Sequence, residues 1–471
     1  MLVKRTMDEK DMRGTRREFL GAVVGGVIGY GFGLLAGSLK PNVVVTKTET
    51  QTTTVTTTTT AQAPATPAHL QTKVAYNDAR FIKFGEPGRK RIVVIGGGPA
   101  GVSFINQLLQ IVPKEKVSIL LIDKNVYWVS GPAQTEIAEG EMGYEGVVGV
   151  INSLSSPPTV DVLNSQVGWI DPDNRLVYTE LGAVEYDYLL IATGMVFADW
   201  EIPGLAYSPN LSIYAVTTYS RALTYYYATE RLKSGTIIIG IPQAPYKCGP
   251  APFETAFMTY ERLRKRGVEN FKIIILDANP RPAPGPDTRR KIILDFINNT
   301  NGAIEYHPGE YVKAVDPATK TLESTKGEKY KWDVLMIIGP ARAPDWLIAS
   351  GLAKRFVTVD RRTFRHIKYN DIYSAGDAQG FTNLGYAVGS GAVVAESIAR
   401  DMGYEPQLPT KTISNENYNN LYDNYFIHIK LVFNVDTGKE QAVAELVHGS
   451  MYKNIRLGWI RGSTSLYPIR F

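Results

Sequence analysis

Apolar runs alternate with glycine-rich turns near residue 100, in a pattern typical of an α/β fold. Arg91–Ile95 is an apolar run behind one basic residue, and it predicts a short buried strand. Residues 96–101 follow at once and read Gly-Gly-Gly-Pro-Ala-Gly, with a helix-like run behind them. A second apolar run, 117–122, ends at Asp123. The pattern therefore predicts a strand, a glycine loop, a helix and a second strand that closes on an acid.

This unit has the layout of a dinucleotide-binding site. The glycines permit a tight turn, close approach of a pyrophosphate, and contact between helix and strand. The acid is placed to accept hydrogen bonds from the ribose hydroxyls of an adenosine half. The alternative is a glycine-rich turn in an unrelated α/β protein. We predict that a dinucleotide contacts Gly96, Gly98, Pro99, Ala100, Gly101, Asp123 and Lys124.

A second strand-like run, Thr236–Ile239, leads into a different loop. Residues 240–254 contain four prolines and Cys248, the only cysteine of the chain. Proline lacks the backbone N–H that a phosphate loop donates. We therefore expect one dinucleotide site, with a thiol where a second dinucleotide would otherwise lie.

Two more segments resemble the FAD-containing disulfide oxidoreductase superfamily. Residues 186–194 form a strand-like run that ends in Thr193 and Gly194, and residues 370–378 form another that ends in Gly376 and Asp377. The resemblance implies that both turns contact FAD, although Asp377 also suits a helix cap. It adds Arg342 and Gly385 to the predicted cofactor-binding residues.

Within that superfamily the chain resembles the flavoprotein subunit of flavocytochrome c sulfide dehydrogenase and the related sulfide:quinone oxidoreductases. The resemblance runs from about Arg91 onward, and the matching segments are 245–254, 340–343, 359–364 and 375–378. It implies an α/β fold with two Rossmann-like, three-layer domains and a small α+β C-terminal domain. It also implies an FAD cofactor, a small sulfur substrate, and a cytochrome, copper protein or quinone as electron acceptor.

Two departures from that family change the expected chemistry. The family cysteine forms a redox-active disulfide beside the flavin, but Val357 stands at the place of its partner. A second family cysteine attaches the flavin, and Ser130 lies in that region here. With one cysteine in the chain neither bond can form, so FAD is expected to bind noncovalently.

We interpret Cys248 as a lone nucleophile or persulfide carrier. Lys247 is expected to favour its thiolate, and Glu254 to accept a proton nearby. The alternative is a buried structural cysteine that remains after loss of the disulfide.

The N-terminal residues suggest export. Arg16 and Arg17 precede an uncharged stretch, 19–39, which resembles a twin-arginine signal, the alternative being a plain membrane anchor. A threonine- and proline-rich tether follows. The predicted divisions are a signal or anchor at 1–40, a linker at 41–88, FAD-binding segments at 89–205 and 336–405, a second Rossmann-like domain at 206–335, and a C-terminal domain at 406–471.

Composition excludes some classes of protein. The chain is 44% hydrophobic, enough to fill a globular core, and its net charge of +5 is too small and too dispersed for a nucleic-acid interface. The five histidines lack paired metal-ligand spacing, so no metal site is expected. The sequence thus predicts an exported FAD-dependent oxidoreductase acting on a sulfur compound. Two alternatives are a flavin oxidoreductase with another substrate and a non-catalytic electron-transfer subunit.

Overall fold

A computed structural model describes residues 81–143, 145–205 and 219–468. These residues belong to one unit, Thr66–Phe471. The predicted signal or anchor at 1–40 and most of the predicted linker at 41–88 lie outside the described residues. Within the three described stretches, no helix combines the length and apolar character needed to cross a membrane.

The first sheet is parallel and carries the glycine loop. Its strands are, in spatial order, Ile372–Ser374, Tyr188–Ile191, Lys90–Ile95, Val117–Asp123 and Val160–Asn164. Ile92 on the central strand pairs with Ile119 on one side and Tyr188 on the other. The central strand is covered on both faces, which explains its unbroken apolar sequence.

Two layers cover this sheet. Helices Pro99–Ile111 and Leu384–Asp401 pack together on one face. Gly391 permits this approach, because a Cβ there would lie closer than 3.0 Å to the carbonyl oxygen of Ala100. The other face packs against helix Asp345–Ala349 and a small antiparallel sheet. The strands of that sheet are Val167–Asp171, Leu176–Thr179 and Gly182–Glu185.

The second parallel sheet repeats this plan. Its strands are Ile304–Pro308, Phe271–Asp277, Gly235–Ile241 and Val334–Ile337. Helices Tyr219–Glu230, Ala251–Lys265 and Asp287–Asn298 share a core with one face. The other face packs on the antiparallel strands Val312–Asp316, Thr321–Ser324 and Lys329–Lys331.

The remaining elements complete an α+β C-terminal region. Antiparallel strands Thr412–Asn420, Tyr425–Asn434 and Lys439–His448 precede helix Ser450–Gly462. Phe433 is fully buried, with its ring centroid 5.4 Å from that of Phe381 in the first domain. Short elements elsewhere are Tyr127–Val129, Ala133–Ala138, Val148–Val150, Val196–Phe197 and Ala341–Arg342. The predicted fold class is confirmed, with two three-layer α/β parts and a small α+β part; the predicted domain limits stay predictions.

Candidate functional site

A cavity of about 1410 Å³ opens at the carboxyl ends of the first sheet. Four of its parallel strands deliver residues to the wall as they end, at Ile95, Asp123, Ala192 and Ala375. Ligands in open α/β sheets bind at this edge, where loops of different strands converge. The fold therefore places the predicted dinucleotide loop in a cavity with several neighbouring loops.

The glycines of the loop divide into two kinds. Gly96 has a φ of +111°, and a Cβ there would lie closer than 3.0 Å to the carbonyl oxygen of Ala192. Gly101 is equally crowded, by the carbonyl oxygen of Gly96. Gly98 faces the cavity, and a Cβ there would meet only Trp128, at 4.0 Å. Gly96 and Gly101 therefore shape the turn, while Gly98 leaves room for a ligand.

Asp123 both lines the cavity and fixes the loop. One carboxylate oxygen accepts from the backbone N–H of Gly97 at 2.7 Å, and the other accepts from Asn125 at 2.8 Å. Lys124 also lines the wall. The acid thus holds the glycine loop in register with the end of the neighbouring strand.

A residue near the far end of the chain secures the same loop. The Tyr467 hydroxyl donates to the carbonyl oxygen of Gly97 at 2.8 Å. Its ring stacks on Trp128, with centroids 5.6 Å apart and an interplanar angle of 16°. The glycine loop is therefore held from the strand side by a carboxylate and from the other side by an aromatic pair.

The two small-residue turns of the first sheet also reach the cavity. Thr193 and Gly194 line it, and Gly194 has a φ of +71° with nothing within 4 Å of a Cβ built on it. Gly376 and Asp377 line it as well. The Asp377 carboxylate forms an ion pair with Lys247 at 3.2 Å. This ion pair joins the first domain to the cysteine loop of the second.

Arg342 and Gly385 do not themselves line this wall, and their role in binding the cofactor stays a prediction. The Arg342 guanidinium pairs with Glu201 at 3.1 Å and Asp345 at 2.6 Å. Gly385 packs on the C-terminal sheet, where a Cβ would collide with the carbonyl oxygen of Ser414. Gly101 likewise acts by packing. Arg342 is thus held by ion pairs, and Gly385 and Gly101 are held by close packing.

Cys248 lies on the wall in a constrained backbone conformation. It follows strand Gly235–Ile241 and precedes helix Ala251–Lys265, with a φ of +53°. Its backbone N–H donates to the carbonyl oxygen of Thr382 at 3.1 Å, and its own carbonyl accepts from Ala251 at 2.9 Å. Left-handed conformations of non-glycine residues cost of order 1–3 kcal/mol and cluster at functional sites. Contacts to both domains therefore fix the position of the thiol.

The surroundings of the thiol oppose its ionisation. Burial, and then the charge of Glu254, raise the pKa of Cys248 to about 12, against weaker opposing effects of Arg456, the Ala251 amide and Lys247. Lys247 lowers the pKa of Cys248, as expected, but burial and Glu254 outweigh it, and the ammonium is also paired with Asp377. At neutral pH the resting residue is a thiol.

Glu254 belongs to a buried ionic cluster. It lies in the first turn of its helix and is 2% exposed. One oxygen is 2.9 Å from Arg456 and accepts from the Asn420 backbone at 2.8 Å. Arg456 also binds Glu136, which is 1% exposed. Burial and the nearby Glu136 raise the pKa of Glu254 despite the opposing Arg456. The predicted proton acceptor is thus directly engaged by an arginine of the C-terminal helix.

Several cavity residues were not predicted from sequence. They share a buried polar side-chain atom that has no hydrogen-bond partner among the described residues; they are Gln134, Ser165, Arg289 and Asn419. Buried polar groups without partners are costly, and a ligand rich in polar atoms satisfies them. Their sequence neighbourhoods carry no motif, so burial alone identifies them.

The corresponding edge of the second sheet holds a smaller cavity, of about 390 Å³, and side chains brace the proline loop beside it. The Asn279 side chain donates to the carbonyl oxygen of Pro242 and accepts from the Ala244 amide. The Arg355 guanidinium donates to the carbonyl oxygens of Gln243 and Ala244. The proline loop is therefore tied down by side chains where a second dinucleotide would need free amides.

Fold and cavity together define a dinucleotide-binding flavoprotein of the oxidoreductase class. Residues 90–395 match the family described as pyridine nucleotide-disulphide oxidoreductase. The chain belongs to this family, and it is an FAD-dependent oxidoreductase. The cavity residues fit FAD, since an open glycine loop, an acid at the next strand end and the unpaired polar atoms of Gln134 and Ser165 line one space.

Sulfide-oxidising enzymes are among the similar proteins. The mitochondrial sulfide:quinone oxidoreductase of Mus musculus is 27% identical over 327 residues, covering 65% of this chain and 68% of the relative. The sulfide-quinone reductase of Aquifex aeolicus (strain VF5) is 27% identical over 303 residues, covering 61% and 68%. The solved structure of the Aquifex aeolicus sulfide:quinone oxidoreductase has a TM-score of 0.67 and 20% identity, covering 80% of this chain and 92% of that one.

The two positions predicted to stand in place of family cysteines are both buried. Ser130 is fully buried, and its hydroxyl accepts from Ser463 at 2.7 Å. Val357 is 3% exposed, and its backbone N–H donates to the carbonyl oxygen of Ala378 at 2.9 Å. Ser130 and Val357 are therefore packed in the interior, and each forms a hydrogen bond there.

Proposed function

We propose that this chain oxidises sulfide or a related sulfur compound and passes the electrons through noncovalently bound FAD to an electron acceptor. One observation carries the proposal: Cys248 borders the same cavity as Gly98, Asp123 and Asp377. The sulfide:quinone oxidoreductases among the similar proteins support sulfide as donor and quinone as acceptor. A cytochrome or a copper protein is the alternative acceptor.

Cys248 receives the substrate sulfur in this proposal. Hydrosulfide and the Cys248 thiol form one S–S bond, giving a persulfide and releasing one proton and two electrons. Bound FAD supplies the two-electron sink. The fixed loop keeps the thiol at the wall, and the pKa of about 12 requires that its proton leave during the step. Glu254, whose pKa is raised by burial, lies close enough to interact with the thiol electrostatically and is the proposed proton acceptor.

Anaerobic titration with sulfide tests the donor. Sulfide should bleach the flavin of the purified holoenzyme without a partner protein, and Cys248→Ser should slow that reduction at least about 100-fold with unchanged flavin content. Equal rates in the two proteins would make Cys248 structural and favour a flavin oxidoreductase with another substrate. Absence of bleaching in the parent would favour an electron-transfer subunit.

A short-chain quinone and a soluble cytochrome test the acceptor. Each is added to the sulfide-reduced enzyme, and the one that reoxidises the flavin identifies the class of acceptor.

The proline loop of the second sheet predicts no use of nicotinamide. NADH and NADPH should leave the flavin oxidised over minutes, because prolines remove N–H donors from this loop and the Asn279 side chain occupies the amide of Ala244. Rapid bleaching by either cofactor would contradict this.

Acid precipitation should release all the flavin, and colour retained in the pellet would contradict noncovalent binding.

We further propose export by the twin-arginine route, with residues 1–40 as signal or retained anchor. Arg16 and Arg17 before an uncharged stretch support this. Replacing both by lysine should leave folded, flavin-loaded protein in the cytoplasm. Unchanged export would favour an ordinary anchor.

A further inference from the structure

Arg289 is a buried arginine in the wall of the cavity. It lies in the first turn of helix Asp287–Asn298 and is 4% exposed. Two basic residues follow it. Arg290 pairs with Asp287, and Lys291 pairs with Asp295 at the surface. Only Arg289 of the three lines the cavity.

Packing holds the Arg289 guanidinium beside the cysteine loop. A Cβ on Gly285 would lie 3.0 Å from one terminal nitrogen of Arg289. The neighbouring Pro284 packs so closely on Gly249 that a Cβ there would collide with it. Arg289, Cys248 and Glu254 also line the same cavity. The guanidinium is thus held by the segment that packs on Gly249, the residue after Cys248.

The charge of Arg289 is not matched by a direct partner. Its Nε atom is buried without a hydrogen bond, and no described side chain forms an ion pair with it. The nearby carboxylates, Glu136 and Glu254, both bind Arg456 instead. Burial lowers the pKa of Arg289 to about 10, so the group is still cationic at neutral pH. A buried cation without an anion is costly, and binding an anion removes that cost.

We propose that Arg289 binds an oxyanion of sulfur, such as thiosulfate, in the cavity that Cys248 borders. This inference rests on the proposed function. A guanidinium presents a planar fork of donors that fits two oxygen atoms at once, whereas hydrosulfide offers a single atom. The fork therefore favours an oxyanion, and the thiol on the same cavity wall favours one whose sulfur can react there.

Thiosulfate binding to the oxidised holoenzyme tests the site. Thiosulfate should perturb the flavin absorption spectrum with saturation, and chloride at matched ionic strength should not. Arg289→Gln should raise the dissociation constant about tenfold or more, as expected on losing charge-assisted hydrogen bonds. Lys291→Gln is the matched control, because it removes one positive charge from the exposed side of the same helix and should change the constant less than about twofold.

Three results would overturn the inference: no saturable response in the parent, the same response to chloride, or equal affinities in the Arg289→Gln and Lys291→Gln proteins. Should Arg289→Gln fail to retain flavin, Arg289→Lys decides the question. Lysine keeps the charge but not the fork, so unchanged affinity would reject oxyanion recognition by Arg289.

Sulfide titration of the same parent sample separates this inference from the proposed function. Flavin reduction by sulfide without thiosulfate binding rejects the oxyanion site and leaves sulfide oxidation standing. If thiosulfate binds in a way that depends on Arg289 but sulfide does not reduce the flavin, sulfide oxidation is rejected and the oxyanion site is retained.

Discussion

Two loops hold the same place in the two parallel sheets and differ in almost every chemical respect. Each follows a central strand and leads into a helix, at 96–101 in the first sheet and 242–250 in the second. The first is built on glycines that allow a tight turn and leave space before the helix. The second carries prolines that remove donors, and Cys248 in a left-handed conformation. The repeated framework supplies position, and the loop residues decide what is bound there.

The two loops are also fixed by different means. Backbone crowding at Gly96 and a carboxylate at Asp123 fix the first. Side chains from Asn279 and Arg355 fix the second, and the ionic cluster of Arg456 anchors the start of its helix. Each difference gives a way to disturb one loop and leave the other intact.

Gly96→Ala should have the largest effect, because it breaks the first loop. The new methyl group would collide with the carbonyl oxygen of Ala192, at a φ of +111°. We expect at least about a 100-fold loss of FAD affinity, the scale of a misplaced binding loop, measured as flavin bound per purified chain. Gly88→Ala is the control, since Gly88 also has a positive φ but nothing within 4 Å of the added Cβ. Similar flavin loss in both variants would mean that strain, rather than crowding, matters.

Arg456→Met should destabilise the anchorage of the second loop. It would leave Glu136 and Glu254 buried without their shared cation, lowering the free energy of unfolding by about 3 kcal/mol. Denaturant unfolding measures this change. Arg264→Met removes an exposed pair with Asp423 and should cost under about 1 kcal/mol. Equal losses would show that the cluster adds nothing to stability.

The rate at which Cys248 is alkylated tests how strongly the second loop suppresses ionisation of its thiol. Because burial raises the pKa of the thiol to about 12, the thiolate fraction at pH 7 is small and increases about tenfold per pH unit. The iodoacetamide rate of the FAD-loaded protein, followed by mass spectrometry, should therefore keep rising from pH 7 to 10. A plateau near pH 9 would indicate an ordinary, solvated thiol.

Tyr467→Phe should have the smallest effect, because it retains the ring stacked on Trp128 and removes only the hydrogen bond to Gly97. One such bond is worth about 1 kcal/mol, so FAD should bind several-fold more weakly. Tyr369→Phe, which alters a surface hydroxyl near Asp173, is the control. No change in the dissociation constant of FAD would assign Tyr467 to packing alone.

Sequence patterns predicted the framework well because each element is local. The strand–glycine–helix unit and the proline loop are contiguous, and their backbone requirements are visible in the residues themselves. The surroundings of individual side chains could not be predicted in this way. Arg342 pairs with Glu201 and Asp345, and burial raises the pKa of Cys248 more than Lys247 lowers it.

Arg289 shows what the sequence conceals. It stands before two other basic residues, a run that ordinarily marks a solvated helix face, and only the folded chain shows that it is 4% exposed in the cavity that Cys248 borders. Burial and pairing depend on contacts between distant segments, which no local pattern encodes.

The contact of Tyr467 with Gly97 sets an order of events during synthesis. The two residues are 370 positions apart, so at about 5–20 residues per second roughly 20–70 seconds separate their translation. The first sheet acquires its strand Ile372–Ser374 during that interval, and the aromatic clamp comes last. A ribosome-bound chain that stops short of Tyr467 has the glycine loop without this clamp, and the clamp can form only after the helix Ser450–Gly462 has been made.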